Sequence, residues 1–165
     1  AEGSPVEYLV RINTQTGNRT DLKQLMPFTS TYLSDFSGDS KHVLIISSGM
    51  GDGVSNVYRI SIQDGTVSKV TNNTVSQDSA VFTPDPAAVY FSDSRDGRSE
   101  LYKIGAQGGN EIKLTTSGKF NGIIQMSGSL VFFLEEGKLK VVDSNVPGQI
   151  KEVTANISNY SMADF

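Results

Sequence analysis

Apolar residues along this chain fall in short runs that alternate with polar ones, as in Tyr8-Leu-Val-Arg-Ile12, His42-Val-Leu-Ile-Ile46 and Tyr58-Arg-Ile-Ser-Ile62. Clusters of Gly, Pro, Asp, Asn and Ser separate the runs. Alternation over about five residues, bounded by turn formers, predicts β-strands joined by tight turns. Helical periodicity is hard to find, and every apolar run is too short and too β-rich for a helix. The clearest stretch is Asp78 to Thr115. It holds four β-type runs, Ala80–Phe82, Ala88–Ser92, Glu100–Ile104 and Glu111–Leu114. The spacers Thr83-Pro-Asp-Pro86, Ser94-Arg-Asp-Gly-Arg98 and Gln107-Gly-Gly-Asn110 are turns, because Gly supplies positive φ and Asp and Asn bond their own backbone.

Copies of that stretch flank it. Residues 27–71 predict strands at Thr31–Phe36, His42–Ser47, Asn56–Ile62 and Val67–Val70. Residues 72–115 are the central repeat. Residues 116–154 predict strands near Gly122–Met126, Leu130–Leu134, Leu139–Asp143 and Ile150–Val153. The closing phrases Lys69-Val-Thr71, Lys113-Leu-Thr115 and Glu152-Val-Thr154 line up. Four-stranded antiparallel repeats of about forty residues are the size of β-propeller blades. The expected fold is therefore all-β, with three complete blades and partial blades at both termini. Residues 1–7 read as a lead-in and residues 8–26 as the end of a blade, with strands Tyr8–Ile12 and Arg19–Leu22. Residues 155–165 read as the first strand of a further blade, because Asn159-Tyr-Ser-Met-Ala-Asp-Phe165 echoes Thr31-Tyr-Leu-Ser-Asp-Phe36. A chain that starts and stops mid-blade predicts either a piece of a larger propeller or self-association, since blade faces normally pack on neighbours.

Composition narrows the function. With 165 residues the chain can bury a sizeable core, and its 16 Gly suit a turn-rich protein. Net charge is −4 and the 14 Lys and Arg are scattered, which argues against a nucleic-acid partner. No apolar run approaches the ~18 residues of a membrane span, so no membrane insertion is expected. Cysteine is absent, which removes disulfides and thiolate metal sites.

The phrase Phe82-Thr-Pro-Asp85, Val89-Tyr-Phe-Ser-Asp93, Arg95-Asp-Gly97, Glu100-Leu-Tyr102, Gly108-Gly109, Leu114-Thr115 resembles the TolB-type propeller repeat. The match is good in the central repeat and fair in Phe36-Ser-Gly-Asp39 with Val57-Tyr58 and Val70-Thr71. It weakens in the third repeat, where Met126-Ser-Gly128 replaces the first phrase. The resemblance implies that first strands line a central channel and fourth strands face outward. It also implies an extracytoplasmic, periplasmic setting.

Candidate chemistry is sparse. Asp93, Asp96 and Glu100 surround Gly97, but the spacing fails the calcium-loop pattern and fits a β-turn. Gly49-Met-Gly-Asp-Gly53 joins strand to strand, whereas a dinucleotide loop must open a helix. His42, the single histidine, lacks a G-x-S-x-G serine and a zinc-type companion, and reads as a blade-edge residue. Asn18, Asn72, Asn156 and Asn159 stand in N-x-S/T sequons. The aromatics Phe36, Tyr58, Phe82, Tyr90, Phe91, Tyr102, Phe132 and Phe133 recur at equivalent places and read as packing between blades. Asp35 and Asp164 hold matching places in first-strand phrases, so they either line the channel or turn into the blade packing.

No catalytic, cofactor or metal residue is expected. The reading is a non-enzymatic module that binds a protein partner through loops or a channel mouth. The alternative is the propeller portion of a larger serine peptidase of prolyl-oligopeptidase or tricorn-like type.

Overall fold

A computed structural model describes residues 7–25, 28–49 and 53–153. Strands and turns make up those residues, with one 3-10 turn at Arg95–Gly97. Fourteen strands run in chain order: β1 (Glu7–Ile12), β2 (Arg19–Leu25), β3 (Phe28–Phe36), β4 (His42–Gly49), β5 (Asn56–Ser61), β6 (Val67–Lys69), β7 (Gln77–Phe82), β8 (Ala88–Asp93), β9 (Glu100–Gly105), β10 (Ile112–Lys113), β11 (Phe120–Ser127), β12 (Leu130–Glu135), β13 (Lys138–Asp143) and β14 (Ile150–Glu152). They form a two-stranded ribbon β1–β2 and three four-stranded sheets, β3–β6, β7–β10 and β11–β14. Each sheet is an antiparallel meander in sequence order. The three sheets are the three blades.

Several strands run past the apolar segments that announce them. The strand beginning near Ala80 starts at Gln77, and the one near Gly122 starts at Phe120. Pairing continues there because polar side chains find partners: Gln77 is buried, and its Oε1 accepts from the Thr71 hydroxyl at 2.8 Å. The fourth strand of the central blade shrinks to Ile112–Lys113.

Shared local geometry shows why the closing phrases repeat. In each blade the apolar residue just after the last strand bonds back to the third strand: Val70 N–H to Val57 O, Leu114 N–H to Leu101 O and Val153 N–H to Leu139 O, all at 2.8 Å. The threonine that follows then caps the third strand. Thr71 Oγ1 accepts from Val57 N–H at 2.9 Å and shares its one proton between Gln77 Oε1 at 2.8 Å and Asn56 Oδ1 at 3.2 Å. Thr115 Oγ1 accepts from Leu101 N–H at 2.9 Å and donates to Glu100. Thr154 lies outside the described residues. The hairpin tips repeat too. Ser61 N–H bonds Thr66 O and Gly65 N–H bonds Ser61 O, as Asn13 and Gly17 do in the β1–β2 turn. Gly17 and Gly65 both sit at φ +71°, where a β-carbon is strained.

The core lies between blades. Leu44, Ile46 and Val57 of the first blade meet Ala80, Phe82, Val89, Phe91, Tyr102 and Ile104 of the second. On the other side of that blade, Tyr90, Leu101 and Leu114 meet Phe120, Val131, Phe133 and Val142 of the third. Alternation along each strand thus feeds two cores, one per face. Phe91 and Tyr102 stack across β8 and β9 with ring centroids 5.4 Å apart. Phe36 departs from the expected packing role: it is 57% exposed.

Candidate functional site

The first strands β3, β7 and β11 each pair on one side only, so each carries a free edge of N–H and C=O groups. Such an edge is a template for another chain unless something covers it. All three strands are bulged: register slips between Thr29 and Thr31 and between Leu33 and Asp35 on β3, between Gln77 and Ser79 on β7, and at two places on β11. A bulge leaves one residue unpaired and re-aims its neighbours.

At the first seam the bulge on β3 supplies a cover. Ser34 Oγ donates to Ala80 O at 2.6 Å and accepts from Ala80 N–H at 3.1 Å. Asp35 Oδ2 accepts from Phe82 N–H at 2.8 Å, while its Oδ1 accepts from Phe36 N–H at 2.8 Å. Tyr32 donates its hydroxyl to Asp78 O at 2.9 Å, and burial together with the Asp78 charge raises its pKa. Three consecutive free positions of β7 are therefore satisfied by side chains from the neighbouring blade. Asp35 spends its carboxylate on this bridge. Asp164, its sequence counterpart, lies outside the described residues.

The second seam differs. Aligned on Phe36 and Phe82, the positions of Tyr32, Ser34 and Asp35 become Asp78, Ala80 and Val81. Among the described residues no side chain of β7 bonds the β11 backbone. The seam is joined instead by backbone, with Phe120 N–H donating to Ser99 O at 3.2 Å. A cleft of about 490 Å³ remains, lined by Asp78, Val81, Ser92, Phe120, Asn121 and Ile123 among others. Beside it, β3 presents Tyr32, Leu33 and Phe36 at 46, 51 and 57% exposure. These two features, an exposed aromatic and aliphatic strand and a cleft with an apolar wall and polar groups along it, make up the candidate site.

The other sequence candidates sit elsewhere. Asp93 is buried and held by Arg95 through paired contacts; Nε lies 2.9 Å from both oxygens. The Arg95 guanidinium lies 4.1 Å over the Tyr102 ring and reaches Glu111 at 2.9 Å, and those carboxylates raise its pKa. Glu100, opposite Asp93 in register, takes the Thr115 hydroxyl, Gly118 N–H at 2.9 Å and Lys113 at 3.4 Å. The two acids are thus each matched to their own cation. Asp96's side chain lies outside the described residues. Among the described residues no three His, Cys, Asp or Glu groups converge as metal ligands. Only the ends of the Gly49–Gly53 turn are described.

His42 has a partner that sequence distance hid. Its Nε2 accepts from Arg59 Nη2 at 2.7 Å across β4 and β5. Burial, then the Arg59 charge, holds its pKa below the ordinary histidine value. The Ser34–Asp35 cover also escaped the sequence reading. Its signal is the adjacent polar pair Ser34-Asp35, which strict alternation would place on opposite faces of the strand.

Known structures share this architecture. TolB from Acinetobacter baumannii aligns with a TM-score of 0.64 at 24% identity, covering 89% of this chain and 37% of that one. The propeller domain of the trilobed protease from Pyrococcus furiosus aligns at 0.60 with 12% identity, covering 97% and 53%. Oligogalacturonate lyase from Vibrio parahaemolyticus aligns at 0.63 with 11% identity, covering 92% and 47%. An uncharacterized protein of Agrobacterium fabrum is 26% identical over 69 residues, which is 42% of this chain and 24% of that protein. The chain spans a quarter to about half the length of these relatives. The family model of the TolB beta propeller domain matches residues 1–161, and with three meander blades and shared threonine caps the chain belongs to the TolB β-propeller family.

Proposed function

We propose that this chain is a non-enzymatic module that binds a protein partner through its first-strand face. The observation that carries this reading is the exposure of Tyr32, Leu33 and Phe36 together on one strand whose neighbours are otherwise buried. Aromatic and aliphatic side chains held on a rigid, bulged strand are the anchors that protein interfaces use. The family and its TolB relatives support an extracytoplasmic setting. No helix among the described residues is long and apolar enough to cross a membrane.

Site-directed photocrosslinking in the source cells tests the reading. A photoreactive residue at Phe36 or Leu33 should give discrete protein adducts, and the same residue at exposed Lys151 or Glu152 should not. Equal labelling at all positions, or detectable peptidase or lyase turnover by the purified chain, would remove it.

The alternative is the propeller portion of a larger serine peptidase, favoured by the likeness to the trilobed protease domain. A parent reading frame carrying a downstream α/β segment with G-x-S-x-G would establish it. Self-association is a separate proposal, motivated by the third blade. Its face turned away from the second blade carries half-buried Phe132, Leu134, Leu139 and Val141 as cross-strand pairs. Light scattering that shows a monomer at micromolar concentration contradicts it.

A further inference from the structure

We infer that the cleft between β7 and β11 is a docking groove for an extended segment of a partner protein carrying a lysine or arginine. This deepens the protein-binding reading above and rests on it. Three observations converge on that occupant. β11 has a free edge, and the cover that closes the equivalent edge of β7 is missing because Ala80 and Val81 replace the positions of Ser34 and Asp35. An uncovered edge takes up main-chain hydrogen bonds from an added strand, and pockets along it read alternate side chains. The cleft has the volume of a small-ligand site, about 490 Å³.

Charge decides the side chain. Asp78 lines the cleft, and among the described residues its carboxylate accepts from the Ser94 hydroxyl alone, at 3.2 Å. Among the described residues no Lys or Arg lies within salt-bridge distance of it. Three acids of these two blades each have their own cation: Asp93 has Arg95, Glu100 has Lys113 and Glu135 has Lys140. Asp78 is the acid that lines this cleft, and it is open to a cation from outside. Val81, Phe120 and Ile123 form the apolar wall for the residues flanking that cation. Asn121, the unpaired residue of the β11 bulge, and Ser92 add hydrogen-bonding groups at the rim. The segment must be extended, because only an extended backbone meets a strand edge at regular spacing.

The test titrates the full 15N-labelled chain with acetyl-Thr-Val-Lys-Val-Thr-amide. The glutamate counterpart and a backbone N-methylated version serve as controls. The lysine peptide should shift amides of Gly122 to Met126 together with Ser79 and Ser92. Binding should weaken about two- to fivefold in Asp78→Asn, the range of an exposed ion pair, and fall further with added salt. The N-methylated peptide should not shift these amides. Equal binding of the lysine and glutamate peptides overturns the inference, as does no shift at millimolar peptide. Shifts confined to Tyr32–Phe36 overturn the groove but leave the broader binding reading standing. Loss of the Phe36 crosslinks with the groove response intact has the opposite meaning. Asp78 is exposed and its change leaves the core untouched, so the variant spectrum itself verifies the fold.

Discussion

The two seams between blades use similar cores and different covers. In the first, Phe82, Phe91 and Tyr102 pack on Leu44 and Ile46, and β3 also lends Tyr32, Ser34 and Asp35 to the edge of β7. In the second, Tyr90 and Leu101 pack on Phe120 and Phe133, and among the described residues no β7 side chain hydrogen-bonds the edge of β11. Apolar packing therefore sets the spacing of blades, while polar side chains decide whether a first-strand edge is closed. The same architecture can seal one seam and leave the next receptive.

Removing the cores should show that the seams are equals in packing. Phe91→Ala and Phe133→Ala should each destabilise by about 3–5 kcal/mol, as large aromatic truncations do. Urea denaturation measures both, and a difference of several kcal/mol between them would break the comparison. Removing the cover should touch only the first seam. Asp35→Ala strands Phe82 N–H and should cost about 1–3 kcal/mol, the penalty of an unsatisfied buried donor. Hydrogen exchange should then accelerate at Phe82 and stay unchanged in β11.

Transplanting the cover is the sharper experiment. Val81→Asp places a carboxylate at the position equivalent to Asp35, facing the residue equivalent to Phe82, which is Met126. Slower exchange of the Met126 amide by roughly three- to tenfold is expected for one net hydrogen bond of about 0.5–1.5 kcal/mol. Unchanged exchange would mean that the bulge, and not the carboxylate alone, makes the cover. The smallest effect concerns the first blade by itself. The His42 pKa is depressed in the folded chain, so the unfolded chain binds the extra proton first. Stability should fall as pH drops through about 6.5, the ordinary histidine value, and His42→Gln should flatten that slope. A slope that persists in His42→Gln assigns it to the carboxylates.

Blade boundaries, meander order and the threonine phrases were legible because repetition compares the chain with itself. Lys69-Val-Thr71 and Lys113-Leu-Thr115 announce the same cap that the structure builds. The seam cover was not legible, because a bulge shifts register by one residue and moves every later side chain to the other face. Strict alternation over Thr31-Tyr-Leu-Ser-Asp-Phe36 cannot show which residues reach β7. Phe36 was misread for the same reason: its family phrase predicts packing, and its place after the β3 bulge leaves it in solvent. Arg59, the partner of His42, lies 17 residues away and becomes its neighbour only through β4–β5 pairing.

The threonine caps carry a further consequence for how such a chain can diversify. Thr71 donates to an amide, Asn56, and Thr115 to a carboxylate, Glu100, yet both hold the third strand at the same 2.9 Å. The hydroxyl asks only for an acceptor and is indifferent to its charge. A duplicated unit built on this joint can therefore change its electrostatics from copy to copy without renegotiating its geometry. Glu100 recruits Lys113 and the Gly118 amide, while Asn56 recruits the amide of Asn73. The joint is the invariant grammar of the repeat, and the acceptor is its free word.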